Sequence, residues 1–157
     1  MRASLSFCAL LLVASCAVHA DEELDSRFSR DTLVVVSNAH ACYVFDIYLA
    51  IDYEQKRRGL MFVRDLPETT GMLFVYDDID YHSMWMKNTL IPLDIVFARA
   101  DGTITNVARN TEPQSLKSIA SSEPVRFVLE LNAGVTEKLG IDGNSRLIWD
   151  EDQRDDE

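Results

Sequence analysis

The densest chemistry in the sequence lies in Ser83-Met84-Trp85-Met86-Lys87-Asn88-Thr89, with Pro92 and Asp94 close behind. Along an extended strand successive side chains point to opposite faces. His82, Met84 and Met86 would then share one face, and Trp85 and Lys87 the other. The Trp85/Lys87 face, continued by Asn88, Thr89 and Asp94, offers an aromatic plate, a cation, an amide, a hydroxyl and a carboxylate. That mixture suits a small polar or anionic ligand, because pockets combine apolar walls with a few placed polar groups. Arg58 joins these residues as a candidate ligand-binding side chain. A purely structural reading competes, in which Lys87 and Asp94 form an ion pair while Asn88 and Thr89 bond the backbone of a tight corner ending at Pro92. The opposite face, His82-x-Met84-x-Met86, carries the imidazole and thioether groups that suit copper(I). Methionines in apolar runs also fill gaps in a core, so this metal set stands as an alternative to the binding site.

Enzyme signatures are sparse. No nucleophile elbow, zinc-type His-x-x-x-His, Walker loop or dinucleotide fingerprint occurs. A Cys42/His82 pair would need the fold to bring the two together. Asp94 or Glu130 could serve as a general base in a buried pocket, but nothing in the sequence separates them from ordinary surface acids. A hydrolytic enzyme therefore ranks third, no catalytic residue is assigned, and no cofactor is implied. Asp77-Asp78-Ile79-Asp80 lacks the glycine and distal glutamate of a calcium loop and reads as a solvated turn.

The chain must place these groups in one domain, since 157 residues suffice for a single core. Residues 1–20 run from Met-Arg through an apolar stretch to Val18-His19-Ala20, the pattern of an export signal cleaved after Ala20. The apolar run is too short to span a bilayer. Val13-Ala14-Ser15-Cys16 resembles a bacterial lipobox, in which case residues 1–15 are removed and Cys16 is lipidated. Both routes place the protein outside the cytoplasm, in the periplasm or beyond, with the membrane reached only through a lipid anchor at Cys16. Cys42 would then be the only thiol of the folded part, read as buried and inert. The net charge of −11, with acids crowded into Asp21-Glu22-Glu23 and the tail 150–157, argues against nucleic acid as a partner and for disordered, solubilising ends. The partner left is an unidentified small molecule or protein.

Patterning between residues 28 and 149 reads as a mostly-β domain, a β-sandwich or barrel with one or two short helices. Leu33 to Ser37 and the alternating Tyr43, Phe45, Ile47 and Leu49 suggest a hairpin. Asp52-Tyr53-Glu54-Gln55 has the form of a capping box, opening a helix from Tyr53 to Arg58 that Gly59 ends. Met72 to Tyr76 fits a buried strand, and Asp101-Gly102 is a tight hairpin turn between two further strands. Residues 110–124 read as a long loop. Val125 to Leu131 reads as a strand with Arg126, Val128 and Glu130 on its outer face. Asn132 is placed as the cap of a short helix ending at Gly140, and Ser145 to Trp149 as the last strand.

Taken together, Arg58-Gly59-Leu60-Met61, Gly71-Met72-Leu73-Phe74, Trp85-Met86-Lys87-Asn88-Thr89, Ile91-Pro92-Leu93-Asp94 and Leu129-Glu130-Leu131-Asn132-Ala133-Gly134 resemble the family called domain of unknown function 192. The resemblance covers about residues 32–149 and implies an exported, mostly-β protein without an assigned activity. Trp85, Lys87, Asn88, Thr89 and Asp94 match the family pattern, while His82 lies outside it. The expectation carried forward is an extracytoplasmic binding or accessory module with its pocket near Trp85 to Asp94.

Overall fold

The computed structural model describes residues 23–150. The proposed leader, with Cys16, and all but the first residue of the acidic tail lie outside them. Among these residues there are nine strands: β1 (Ser29–Val36), β2 (Cys42–Ala50), β3 (Thr70–Asp80), β4 (Ser83–Met84), β5 (Leu93–Ala98), β6 (Ile104–Ala108), β7 (Ile119–Ala120), β8 (Val125–Asn132) and β9 (Arg146–Ile148). Two short helices accompany them, α1 (Tyr53–Arg58) and α2 (Val135–Leu139), and a helical turn spans residues 23–25. Seven strands form one sheet in the order β6-β5-β8-β3-β2-β1-β9. A bridge between Thr103 and Arg146 links the two edges, so the sheet curls into a nearly closed barrel. Among the described residues no helix is long and apolar enough to cross a membrane.

Local signals act as expected in several places. Asp52 accepts from the Gln55 amide at 2.7 Å, and the Gln55 side chain returns to the Asp52 amide at 3.1 Å, closing the capping box on α1. Asp101-Gly102 turns β5 into β6, with Gly102 at φ 82°. On β2 the alternation buries Phe45, Ile47 and Leu49. The same parity sends Cys42 outward, and its thiol is exposed, not buried as expected from its apolar neighbours. Other expectations fail for long-range reasons. β3 does not break at Asp77 but runs on to Asp80, which pairs with Val125 beyond an irregularity in the β8 ladder. The loop at 110–124 contains β7, which pairs with β4. Helix α2 is capped by Gly134, while the Asn132 amide instead donates to the carbonyls of Leu66 and Pro67.

The decisive feature is the pairing of β2 with β3. It is parallel, so the chain crosses over the sheet through α1 and the segment 59–69. The crossover lies on the outer face of the barrel and creates a second core. The interior holds Leu33, Phe45, Ile47, Leu73, Leu129 and their neighbours. The outer layer packs Leu60, Val63 and Leu66 of the crossover, with Leu24 and Phe28, against Met72, Phe74, Met86 and Val128. β5 and β8 are consequently buried on both faces. At Gly71 a Cβ would lie 2.8 Å from the Glu130 carbonyl oxygen, so β3 and β8 need glycine there to meet closely.

Candidate functional site

Burial on both faces brings two carboxylates into the protein, with opposite consequences. Asp94 on β5 is fully buried and fully used. Its carboxylate accepts from the amides of Asn110 at 2.9 Å, Gly134 at 3.1 Å and Thr136 at 3.0 Å, and from the Thr136 hydroxyl at 2.7 Å. Asp94 therefore ties α2 and the 110 turn to the sheet. Among the described residues it makes no ion pair with Lys87, and it does not line the cavity described below, so the sequence-based grouping of Asp94 with Lys87 is corrected on that ground.

Glu130 on β8, only 4% exposed, is the reverse case. Its Oε2 has no hydrogen-bond partner among the described residues. Burial pushes its carboxyl up to about 8, so the group is mostly protonated at neutral pH. It lines a cavity of about 100 Å³ shared with Arg58, Tyr76, Met84, Trp85 and Thr89, and is the only acid among the lining residues. A second unpartnered polar atom belongs to the same cavity. Arg58 ends α1, and its Nη2 donates to Glu23 at 2.7 Å, while its Nη1 is buried with no acceptor among the described residues. Buried groups of this kind are rarely left unpaired without a reason. Gly59 places Arg58 here: it turns the chain at φ 45°, and a Cβ on it would lie 3.1 Å from the Phe74 ring.

The wall opposite is built by Tyr76. Burial, reinforced by the nearby charges of Glu130 and Asp78, pushes its phenol up to about 12, and its hydroxyl donates to the Met84 sulfur at 3.7 Å. His82 stacks on the Tyr76 ring, with centroids 3.6 Å apart and planes 14° from parallel. Lys56 Nζ lies 5.1 Å from the same ring.

The predicted residues thus divide. Arg58, Trp85 and Thr89 line the Glu130 cavity. Asn88, at φ 58°, shapes the turn, accepts from the Phe62 amide at 2.9 Å and directs its side-chain amide at the Met61 sulfur; it lines an adjoining hollow of about 480 Å³ that shares Arg58 and Met61. Lys87 is exposed, with its Nζ 5.0 Å from the centroid of the Trp85 ring. The alternation of faces holds through 82–87 although only Ser83–Met84 is strand, with Trp85 and Lys87 outward and Met86 inward. The three residues of the proposed metal set have different surroundings. Met84 lines the cavity and His82 lies behind Tyr76, but Met86 is fully buried in the outer core, where the Thr111 hydroxyl meets its sulfur at 3.2 Å.

Glu130, Tyr76 and Lys56 were not singled out by the sequence as members of the site. The available signal for Glu130 was Val128: an apolar residue in the middle of an otherwise polar strand face indicates that the face is covered. Glu130 also stands in one of the recognisable blocks. Four of those five blocks contribute to this one cavity, through Arg58 to Met61, Phe74, Trp85 with Thr89, and Glu130, and the fifth supplies Asp94 beneath α2.

A curled, mostly-β sheet with a small polar cavity under a parallel crossover defines the class. The chain belongs to the DUF192 family, described as an uncharacterized ACR, whose model matches residues 34–149. A crystal structure from Sinorhizobium meliloti 1021, described as a supposed transcription regulator, is similar at a TM-score of 0.75 and 37% identity, covering 77% of this chain and 94% of that one. A protein of unknown function from Novosphingobium aromaticivorans is similar at 0.76 and 32%, covering 79% and 88%. No curated protein matches this chain.

Proposed function

We propose that this chain is a small-molecule binding module whose ligand seats its polar group in the cavity between Arg58 and Glu130. The observation that carries the reading is the pair of buried atoms, Arg58 Nη1 and Glu130 Oε2, which belong to residues lining one cavity and have no partner among the described residues. A ligand atom that accepts from both satisfies two groups at once, and unsatisfied buried groups each cost about 1–3 kcal/mol. Glu130, alone among acids in the cavity, lacks the second carboxylate or the cysteine–histidine partner that hydrolysis would use, so binding is favoured over catalysis. Copper handling is disfavoured because Met86 is fully buried, with its sulfur already met by the Thr111 hydroxyl at 3.2 Å. The description of the S. meliloti relative would suggest a nucleic-acid partner, against which the net charge of −11 argues here. We place the module outside the cytoplasm on the strength of residues 1–20, either freed after Ala20 or anchored at Cys16. Intact-mass measurement on protein from its native host checks that placement.

The test of the binding reading is an NMR titration of the protein with a panel of small carboxylates, phosphates, sugars and amines. At least one class should shift the signals of Arg58, Trp85 and Glu130 together and lose that effect in Arg58→Met. Indifference of these signals to every class would overturn the reading.

A further inference from the structure

Resting on that site, we infer that the ligand is an amphipathic carboxylate: its head accepts hydrogen bonds from Arg58 Nη1 and from the Glu130 carboxyl acting as donor, and its apolar tail lies along Met84, Trp85 and Leu116.

Size limits the head. A dry cavity of about 150 Å³ takes a benzene, six heavy atoms, so the cavity of about 100 Å³ takes roughly four. A carboxylate with its first methylene fits that space. Charge fixes its sign. The outer edge of the Arg58 guanidinium already holds a carboxylate, that of Glu23, and the inner edge is buried and unpartnered. Guanidinium binds carboxylates preferentially because its fork matches their two oxygens. A cationic head would meet Arg58, with Lys56 and Arg57 from the same helical turn close by.

The surroundings of Glu130 keep it a donor. The charged residues of α1 that line the cavity are all cations, Lys56, Arg57 and Arg58. β3 contributes Tyr76, with Asp78 and His82 beyond its ring. β4 and the turn after it add Ser83, Met84, Trp85 and Thr89, and Lys87 sits outside, near Trp85. β5 sets Ile95 opposite Glu130, its acid Asp94 being occupied elsewhere, and on β8 itself Arg126 donates to the Tyr76 carbonyl. No cation lies within ion-pair distance of Glu130 among the described residues, so nothing offsets the burial that holds its proton.

Among the described residues two hollows adjoin the cavity and could take the tail. The hollow of about 480 Å³ is lined by charges of both signs, Arg27, Asp52, Glu54 and Arg57. The other hollow, of about 270 Å³, shares Ser83, Met84 and Trp85 with the cavity and adds Leu116 and Ser118. Leu116 is 69% exposed and Trp85 48%, an apolar surface that a hydrocarbon chain would cover.

The experiment is calorimetric titration of the protein with sodium octanoate, acetate and octylammonium at pH 6.5 to 9.5. Octanoate should bind one to one, acetate far more weakly, since each buried methylene contributes up to about fourfold. Affinity should hold from pH 6.5 to about 8 and then fall up to tenfold per pH unit as Glu130 loses its proton. Glu130→Gln should retain octanoate binding and lose that decline, Arg58→Met should weaken it at least tenfold, and Trp85→Ala should flatten the dependence on chain length. Octylammonium binding as well as octanoate, an octanoate affinity unchanged to pH 9.5, or no binding of either would overturn the inference. Occupation of the cavity by another chemical class in the NMR panel would still leave the site itself standing.

Discussion

Replacing Glu130 by glutamine keeps the size and shape of the side chain and removes its titration, which isolates what the buried acid costs the fold. The unfolded chain releases the proton near 4.5, and the folded one holds it to about 8. Between those values the native state binds more protons than the unfolded state, so stability falls as pH rises. Each pH unit corresponds to about 1.36 kcal/mol, giving roughly 4 kcal/mol by pH 7.5 and none below about pH 4. The glutamine amide leaves an unpartnered polar atom much as the acid does, so that cost largely cancels between the two proteins. Allowing for local relaxation, Glu130→Gln should stabilise the protein by about 2–4 kcal/mol at pH 7.5 and by less than about 1 kcal/mol at pH 5. Urea unfolding of both proteins at the two pH values gives the answer as a difference of differences, from which titrations elsewhere drop out. Equal effects at pH 5 and 7.5, or destabilisation at both, would show that Glu130 is instead ionised or paired in the folded protein.

Other consequences follow from the same geometry. Asp94→Asn turns an amide donor toward at least one of the four groups that now donate to the carboxylate, and should cost about 2–4 kcal/mol in denaturant unfolding. Lys87→Ala loses only an exposed contact with Trp85 and should cost under about 1 kcal/mol, with no coupling to Asp94 in a double-mutant cycle. Cys42, exposed on the outer side of β2, should react with a disulfide reagent in the native protein as fast as after unfolding. Gly71→Ala would force a methyl to within 2.8 Å of the Glu130 carbonyl oxygen and should lower the melting temperature measurably, by about 1–3 kcal/mol in stability.

What was legible in the sequence was local. The capping box at Asp52 and Gln55, the Asp101-Gly102 turn and the inward parity of Phe45, Ile47 and Leu49 each depend on neighbours a few residues apart. Mostly-β and single-domain were therefore readable from strand lengths and turns. The candidate site was half readable, because Arg58, Trp85 and Thr89 announce themselves by residue type. Glu130 was hidden because its environment is made by the parallel β2–β3 crossover, which covers the outer face of β8 with residues far away in the chain. Asp94 misled for the same reason: nothing near it in sequence shows that the Gly134 and Thr136 amides will close on it. Cys42 misled differently, since an apolar run was read as burial when the alternation already visible in β2 placed it on the solvent side.

Whether Arg58 and Glu130 together receive a ligand's polar group is decided by a high-resolution crystal structure of the protein grown with octanoate near pH 6.5. The carboxylate should lie within about 2.6–3.1 Å of both Arg58 Nη1 and Glu130 Oε2, with the chain along Trp85 toward Leu116. A structure in which Arg58 and Glu130 bond directly to each other, leaving no room for a ligand atom between them, would contradict that placement.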